Sequence, residues 1–295
     1  MQTNPEYSTV YWPPRFQPVI GCVQLLHDWA EHQGRLKPLA ESLSESGYVV
    51  VTSDFKGHGS NIKRETELGY AGDSGMSQYI GYAHEITLFL KDKFPDVPYT
   101  MIGAGLGALV CMAYLKRYDF FADSMVLISP PPEKGTRLDR LLCNASISSK
   151  GEYHRSRFMH NNIWSSHIGI DFSQNLNWLS NDPDVKESYS RDRLCGFMYT
   201  LNGCRSILNL IDSVYSYGSW IMKNPHLKIR IIAGSKDQSA GSTFKLAHIR
   251  NFLAGQGYDE AEIRLFPGLR HDLVNGSDTR QVYDFILAHL DSLSE

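Results

Sequence analysis

The sequence predicts an α/β fold, with a central, mostly parallel β-sheet, helices on both faces and an inserted helical cap. Two observations predict it. Short apolar, β-rich runs alternate with segments of helical period, the pattern of a parallel sheet whose crossovers are helices. The rhythm then breaks once, after a run of three prolines, and resumes about ninety residues later. The length of 295 residues suits one large α/β domain, or one domain carrying an insertion.

The elements follow in order. Residues 19–26 (VIGCVQLL) read as a strand ending at His27. Residues 35–46 read as a helix with Leu36, Leu39, Ala40 and Leu43 on one face, stopped by Gly47. Tyr48 to Ser53 is the next strand and runs into Asp54-Phe-Lys-Gly-His-Gly59. Residues 78–94 form an amphipathic helix closed by Pro95, followed by a strand to Gly103, a helix over 107–118 and a strand over 124–129. From Pro130–Pro132 to about Met222 strand-like runs thin out while Trp, Tyr and Asn accumulate. This predicts a helical cap over 131–222, leaving 1–130 and 223–295 as the core. The βα rhythm returns with a strand at 227–234, a helix at 242–254, a strand at 262–266 and a final helix at 279–293.

Composition narrows the functional classes. An apolar fraction of 42% and a charged fraction of 21% are those of an ordinary globular protein. A formal charge of -3 and the lack of a long basic run argue against a nucleic-acid partner. Residues 1–17 show no apolar stretch preceded by positive charge, so no signal peptide is expected. No apolar run nears the roughly 18 residues a membrane span needs. The five cysteines, Cys22, Cys111, Cys143, Cys195 and Cys204, are odd in number and lack C-x-x-C spacing. Neither a disulfide framework nor a metal site is expected, and reduced thiols suit a cytoplasmic location. Nothing calls for a cofactor.

One segment carries the chemical question. Tyr99-Thr-Met-Ile-Gly-Ala-Gly-Leu-Gly-Ala-Leu-Val110 has the layout of a nucleophile elbow: an apolar strand, a tight turn with glycines two residues either side of a central position, and an apolar helix. In G-x-S-x-G the centre carries the attacking hydroxyl. Here the centre is Gly105. Elbow residues occupy strained backbone geometry that glycine adopts at little cost, so exchanging serine for glycine removes the nucleophile and relieves strain. The chain has no second strand–G-x-S-x-G–helix.

Read in order, the landmarks resemble the monoacylglycerol lipase / lysophospholipase branch of the α/β-hydrolases, the serine aminopeptidase-like group. The blocks that carry the likeness span nearly the whole chain: His27-Asp-Trp-Ala-Glu-His-Gln-Gly-Arg-Leu36, Asp54-Phe-Lys-Gly-His-Gly-Ser60, Trp178-Leu-Ser-Asn-Asp-Pro-Asp-Val185 with Asp192-Arg-Leu-Cys-Gly-Phe197, Gly234-Ser-Lys-Asp237, and Pro267-Gly-Leu-Arg-His-Asp-Leu-Val-Asn275. Each motif alone is weak, but five in the right order, each at its expected place, define the fold. The resemblance implies lipid-like or other small acyl esters, acyl transfer to serine and then to water, and a cap over the C-terminal strand edge.

The same resemblance assigns roles. His271 and Asp237 form the His–Asp dyad, in which the carboxylate fixes the imidazole tautomer and favours its protonated form. Trp29 and Leu106 supply the backbone amides of an oxyanion hole. Two departures cluster with Gly105. Asp28 follows the oxyanion-loop histidine His27 where the family has glycine, and its carboxylate would oppose a developing oxyanion unless it points away. Ala104 stands where the family usually has histidine. Ser129, after the next strand, is a poor substitute nucleophile, and Cys111 reads as core. Trp178, with Trp164, Tyr215 and Trp220, lines an acyl pocket or forms the core of the cap. Glu31, His32 and Arg35 read as loop anchors, and the Asp54–Gly59 turn as a brace beside them.

Three readings follow. The leading one is a catalytically impaired member that keeps the dyad and binds a small lipid- or ester-like ligand. The second is an active carboxylic-ester hydrolase, or another enzyme, using His271–Asp237 as a general base with no serine acyl-enzyme. The third is a scaffold or heteromer subunit with a vestigial pocket, for which a homo-oligomer or protein partner is expected. Turnover would need a substitute nucleophile, because losing one costs about a millionfold in the subtilisin series.

Overall fold

The computed structural model describes residues 9–14, 18–170 and 176–293. Most of the N-terminal stretch read as lacking a signal peptide lies outside the described residues. Seven strands form one sheet in the order β1-β3-β2-β4-β5-β6-β7. They are β1 (Thr9–Trp12), β2 (Gly21–Leu26), β3 (Tyr48–Ser53), β4 (Tyr99–Ala104), β5 (Ser124–Ile128), β6 (Lys228–Gly234) and β7 (Glu262–Phe266). β1 pairs antiparallel with β3, with Thr9 opposite Ser53, and every other pair is parallel. The sequence reading lacked β1, a four-residue edge strand too short and too exposed to show a period.

The period-2 side-chain alternation of the strands divides the core in two. Cys22, Leu26, Val49, Val51, Met101, Met125 and Leu127 face one layer, which includes α2 (Ser77–Lys93), α3 (Leu106–Tyr118) and α8 (Thr243–Gly255). Val23, Leu25, Val50, Ile102, Val126 and Ile128 face the other, made by α1 (Lys37–Glu45) and α9 (Arg280–Asp291). Because both faces are covered, β2 through β5 are buried at every position, which is why they read as unbroken apolar runs.

Boundaries shift by small amounts with visible causes. The strand read from Val19 begins at Gly21, and the helix read from Arg35 begins at Lys37, where Pro38 occupies a favourable first-turn position. Gln33–Leu36 is a separate 3-10 turn capped by His32, whose ring nitrogen accepts from Gly34 N at 3.1 Å. α3 starts one residue earlier than read, at Leu106.

Between β5 and β6 lie α4 (Arg137–Lys150), α5 (Arg157–Asn162), a π-helical turn (Ile163–Ile168), α6 (Pro183–Arg191) and α7 (Leu201–Tyr215). Trp164, Trp178 and Tyr215 are buried with the main apolar cluster, and Trp220 packs against it. Among the described residues no helix is long and apolar enough to cross a membrane. All five cysteines are unbridged.

Candidate active site

The turn from β4 into α3 places Gly105 at φ +43°, ψ −97°. That region disfavours side chains, and glycine enters it without a Cβ clash. Gly105 N donates to Ile128 O at 2.9 Å, and Gly107 N donates to His27 O at 3.1 Å, tying the turn to the ends of β5 and β2. Gly107 is needed for close approach: a Cβ there would stand 2.8 Å from Leu26 Cβ.

Asp28 follows β2 and meets this turn. Its Oδ1 accepts from the backbone N–H of Trp29 at 2.6 Å and of Leu106 at 3.2 Å. Its Oδ2 lies 2.8 Å from His271 Nε2, an ion-pair contact at an angle outside hydrogen-bond geometry. On the far side of the ring, His271 Nδ1 lies 3.1 Å from Asp237 Oδ1. The imidazole is therefore held between two carboxylates. His271 and Asp237 side chains are fully buried and that of Asp28 is 14% exposed, so Asp28 is the member at the rim. Of the two orientations the sequence leaves open for Asp28, the carboxylate takes the inward one and accepts from both amides.

The electrostatics follow from this arrangement. Burial alone would push the His271 imidazole down, but Asp237 and then Asp28 outweigh it and hold its pKa well above the ordinary value. Burial likewise pushes Asp237 up, and the His271 cation pulls it below the usual carboxylate range. The ring is thus an imidazolium at neutral pH, with both nitrogens facing carboxylates.

Gly105 and Asp28 depend on each other sterically. A Cβ on Gly105 would overlap the Asp28 carboxylate and stand 2.6 Å from Trp29 Nε1. No side chain fits at position 105 while Asp28 keeps its seat. Near this point Trp29, Trp164 and Trp178 are each about 2% exposed or less. The Trp29 and Trp164 rings lie 6.0 Å apart, Trp164 and Trp178 6.5 Å, and Trp178 and His271 5.5 Å. Open clefts are found elsewhere, one of about 450 Å³ at Asn181, Lys236, Pro267 and Arg280 and one of about 400 Å³ at Lys56, Tyr70, Asp73 and Tyr153.

The remaining predicted residues have structural contacts. His27 Nδ1 donates to Asp28 O at 2.8 Å and its Nε2 accepts from Phe55 N at 3.2 Å. Burial pushes its pKa down to about 3, so it is a neutral brace. Ser129 (φ +49°) donates its hydroxyl to His271 O at 3.1 Å and so supports the histidine turn. Ala104 ends β4 in the face opposite α3, and Cys111 is fully buried. Trp178 O accepts from His271 N at 3.3 Å. Asp54 Oδ1 accepts from Gln33 N at 2.8 Å and Oδ2 from Ser60 N at 2.9 Å, bracing the turn.

Glu31 and Arg35, read as loop anchors, meet partners that the sequence does not name. Glu31 Oε1 accepts from Asp28 N at 3.0 Å, and Arg35 joins Glu31 Oε2 at 3.0 Å to Asp272 Oδ2 at 2.5 Å. Asp272, beside His271, thereby links the histidine turn to the Asp28 loop through Arg35, across 237 residues of sequence. Tyr199 hydroxyl accepts from Ala30 N at 3.0 Å and contacts His58 Nε2 at 2.9 Å. Glu31 and Arg35 are only four residues apart, but Asp272 and Tyr199 are remote from the groups they meet and have no local signal. The metal-ligating side chains that cluster among the described residues do so at His32, Asp192 and Cys195, not at His271.

Fold and site together define an α/β-hydrolase: a mostly parallel seven-stranded sheet with a strand–glycine turn–helix and a His–Asp pair at its strand ends. Residues 17–278 match the family described as serine aminopeptidase, S33, and the chain belongs to that family. It is 22% identical over 288 residues to a monoacylglycerol lipase of Mycolicibacterium smegmatis, an alignment covering 95% of this chain and 92% of that one. A thermostable carboxyl esterase from Bacillus coagulans superimposes with TM-score 0.83 at 19% identity over 98% of this chain and 94% of its own. A monoacylglycerol lipase from Paleococcus ferrophilus does so with TM-score 0.73 at 19% identity over 97% and 99%. At these identities the structural likenesses establish the fold alone.

Proposed function

We propose that this chain is a monoacylglycerol lipase-like α/β-hydrolase that does not perform the family's acyl transfer. Gly105 stands at the nucleophile position, the amides of Trp29 and Leu106 form the oxyanion hole, and residues 131–222 act as the cap over a core of 1–130 and 223–295. The observation that carries the reading is the seat of Asp28, whose carboxylate accepts from both amides and faces His271 Nε2. A tetrahedral oxyanion would have to displace a group already negative there, and a general base would have to be freed from a second carboxylate.

The same contacts weigh against a dyad-driven hydrolase, since His271 is charged and engaged on both sides. A vestigial pocket is favoured by the buried cluster of Trp29, Trp164 and Trp178 beside His271 and the Gly105 turn. A lipid- or ester-like ligand would enter only after Asp28 and Trp29 move.

The test is turnover of a short-chain chromogenic ester and a monoacylglycerol by the purified protein beside His271→Ala. Equal background in both proteins is expected. Activity well above buffer that disappears in His271→Ala would overturn the reading and restore dyad chemistry.

A further inference from the structure

We propose that His32, Asp192 and Cys195 form a binding site for a thiophilic divalent cation, with Zn²⁺ the occupant that their chemistry fits. One donor atom from each residue lies within 4.8 Å of the others. A tetrahedral zinc with bonds of roughly 2.0–2.3 Å needs donors about 3.2–3.8 Å apart, so the set closes around an ion with small side-chain shifts.

The backbone presents the three donors from two places. Cys195 N donates to Asp192 O at 3.0 Å, a tight turn that brings residues three apart onto one side. Leu194 N holds Asp192 Oδ1 at 2.8 Å, leaving Oδ2 to face His32 Nε2 at 2.9 Å. Beside them Gly196 N donates to Ala30 O at 2.8 Å, so the turn after α6 and the segment after β2 are already joined by backbone. The three side chains are half-buried, which gives an ion an entry path.

Charge and ligand type favour zinc. A thiolate, a carboxylate and a neutral imidazole cancel the charge of one divalent ion, which suits a half-buried site, and a water fills the fourth position. Loading releases one proton, that of the Cys195 thiol, while the single ring proton of His32 shifts from Nε2 to Nδ1 by exchange with solvent, so that Nε2 is free to bind. The Gly34 N–H that caps on Nδ1 is exposed and passes to water. The ion would pin the loop that carries Asp28, four residues before His32, to the turn after α6.

The test is titration of reduced full-length protein with Zn²⁺, and with Co²⁺ as a spectroscopic probe. Expected are one equivalent of Zn²⁺ per chain and a thiolate-to-Co²⁺ charge-transfer band. Cys195→Ser should lose the band, and His32→Ala should weaken Zn²⁺ binding by about 100-fold or more. In the wild-type chain Zn²⁺ should protect Cys195 from alkylation, a readout independent of how the variants fold. No band and no protection, or an affinity unchanged in both variants, would overturn the site.

Discussion

The β6–β7 side of the site and the β2–β4 side share one set of strand ends and carry opposite chemistry. On the first, Asp237 and His271 pair at 3.1 Å in the geometry a general base needs. On the second, the backbone turn is equally well formed, yet Gly105 offers no nucleophile and Asp28 fills the amides. Fold and elbow geometry are set by backbone packing, which Gly103, Gly105 and Gly107 satisfy. The proposed loss of acyl transfer rests on positions 28 and 105, which are coupled sterically.

The largest effect should come from reversing both changes. Asp28→Gly with Gly105→Ser empties the amides and supplies a hydroxyl. A His271-dependent gain in ester turnover of at least about 100-fold over the wild type is expected, small beside the roughly millionfold of a complete triad. A double variant that folds and stays silent would mean that the aromatic cluster, not Asp28, closes the site.

Removing the cation between the carboxylates comes next. His271→Ala leaves Asp237 buried and Asp28 nearly so with no positive partner, a loss of about 3–5 kcal/mol in urea unfolding. A loss below about 1 kcal/mol would show that the three groups do not act as one ion cluster. Gly105→Ala tests the steric coupling and should cost about 1–3 kcal/mol from overpacking. In an Asp28→Gly background the part of that cost due to the carboxylate should vanish while the Trp29 Nε1 contact and the positive φ remain, a difference that a double-mutant cycle reads directly.

The smallest effect is the pH dependence of the same cluster. Because the folded pKa of His271 is raised, its contribution is complete below about pH 6.5 and is lost as pH rises through the elevated value. Because that of Asp237 is lowered, its contribution is present above about pH 3.9 and fades as pH falls through the folded value. The stability gap between wild type and His271→Gln, followed by denaturant midpoints, should therefore narrow at both ends and be widest between them.

Much of this architecture was legible in the sequence. Strand 48–53 lies where its apolar run places it, because it is buried at every position. Strand 262–266 lies where its alternation of Ile263 and Leu265 with exposed Glu262 and Arg264 places it. Edge strand β1 was not legible, since four half-exposed residues carry no period. At the site, motif order singles out Gly105, His271 and Asp237, and the fold sets His271 beside Asp237 and Asp28 against the turn at Gly105. The orientation of Asp28 was not legible: a carboxylate that opposes an oxyanion and one that replaces it have the same sequence. Glu31, His32 and Arg35 were read as loop anchors, but their partners Asp272 and the Asp192–Cys195 turn were not legible, because they are brought to those residues only by the fold.

The most direct measurement is an NMR titration of the His271 ring in the wild type and in Asp28→Asn. The account predicts a wild-type ring whose pKa lies well above the ordinary histidine value and a clear downward shift of that pKa in Asp28→Asn. A ring that titrates near its ordinary value of about 6.5 and ignores the substitution would contradict it.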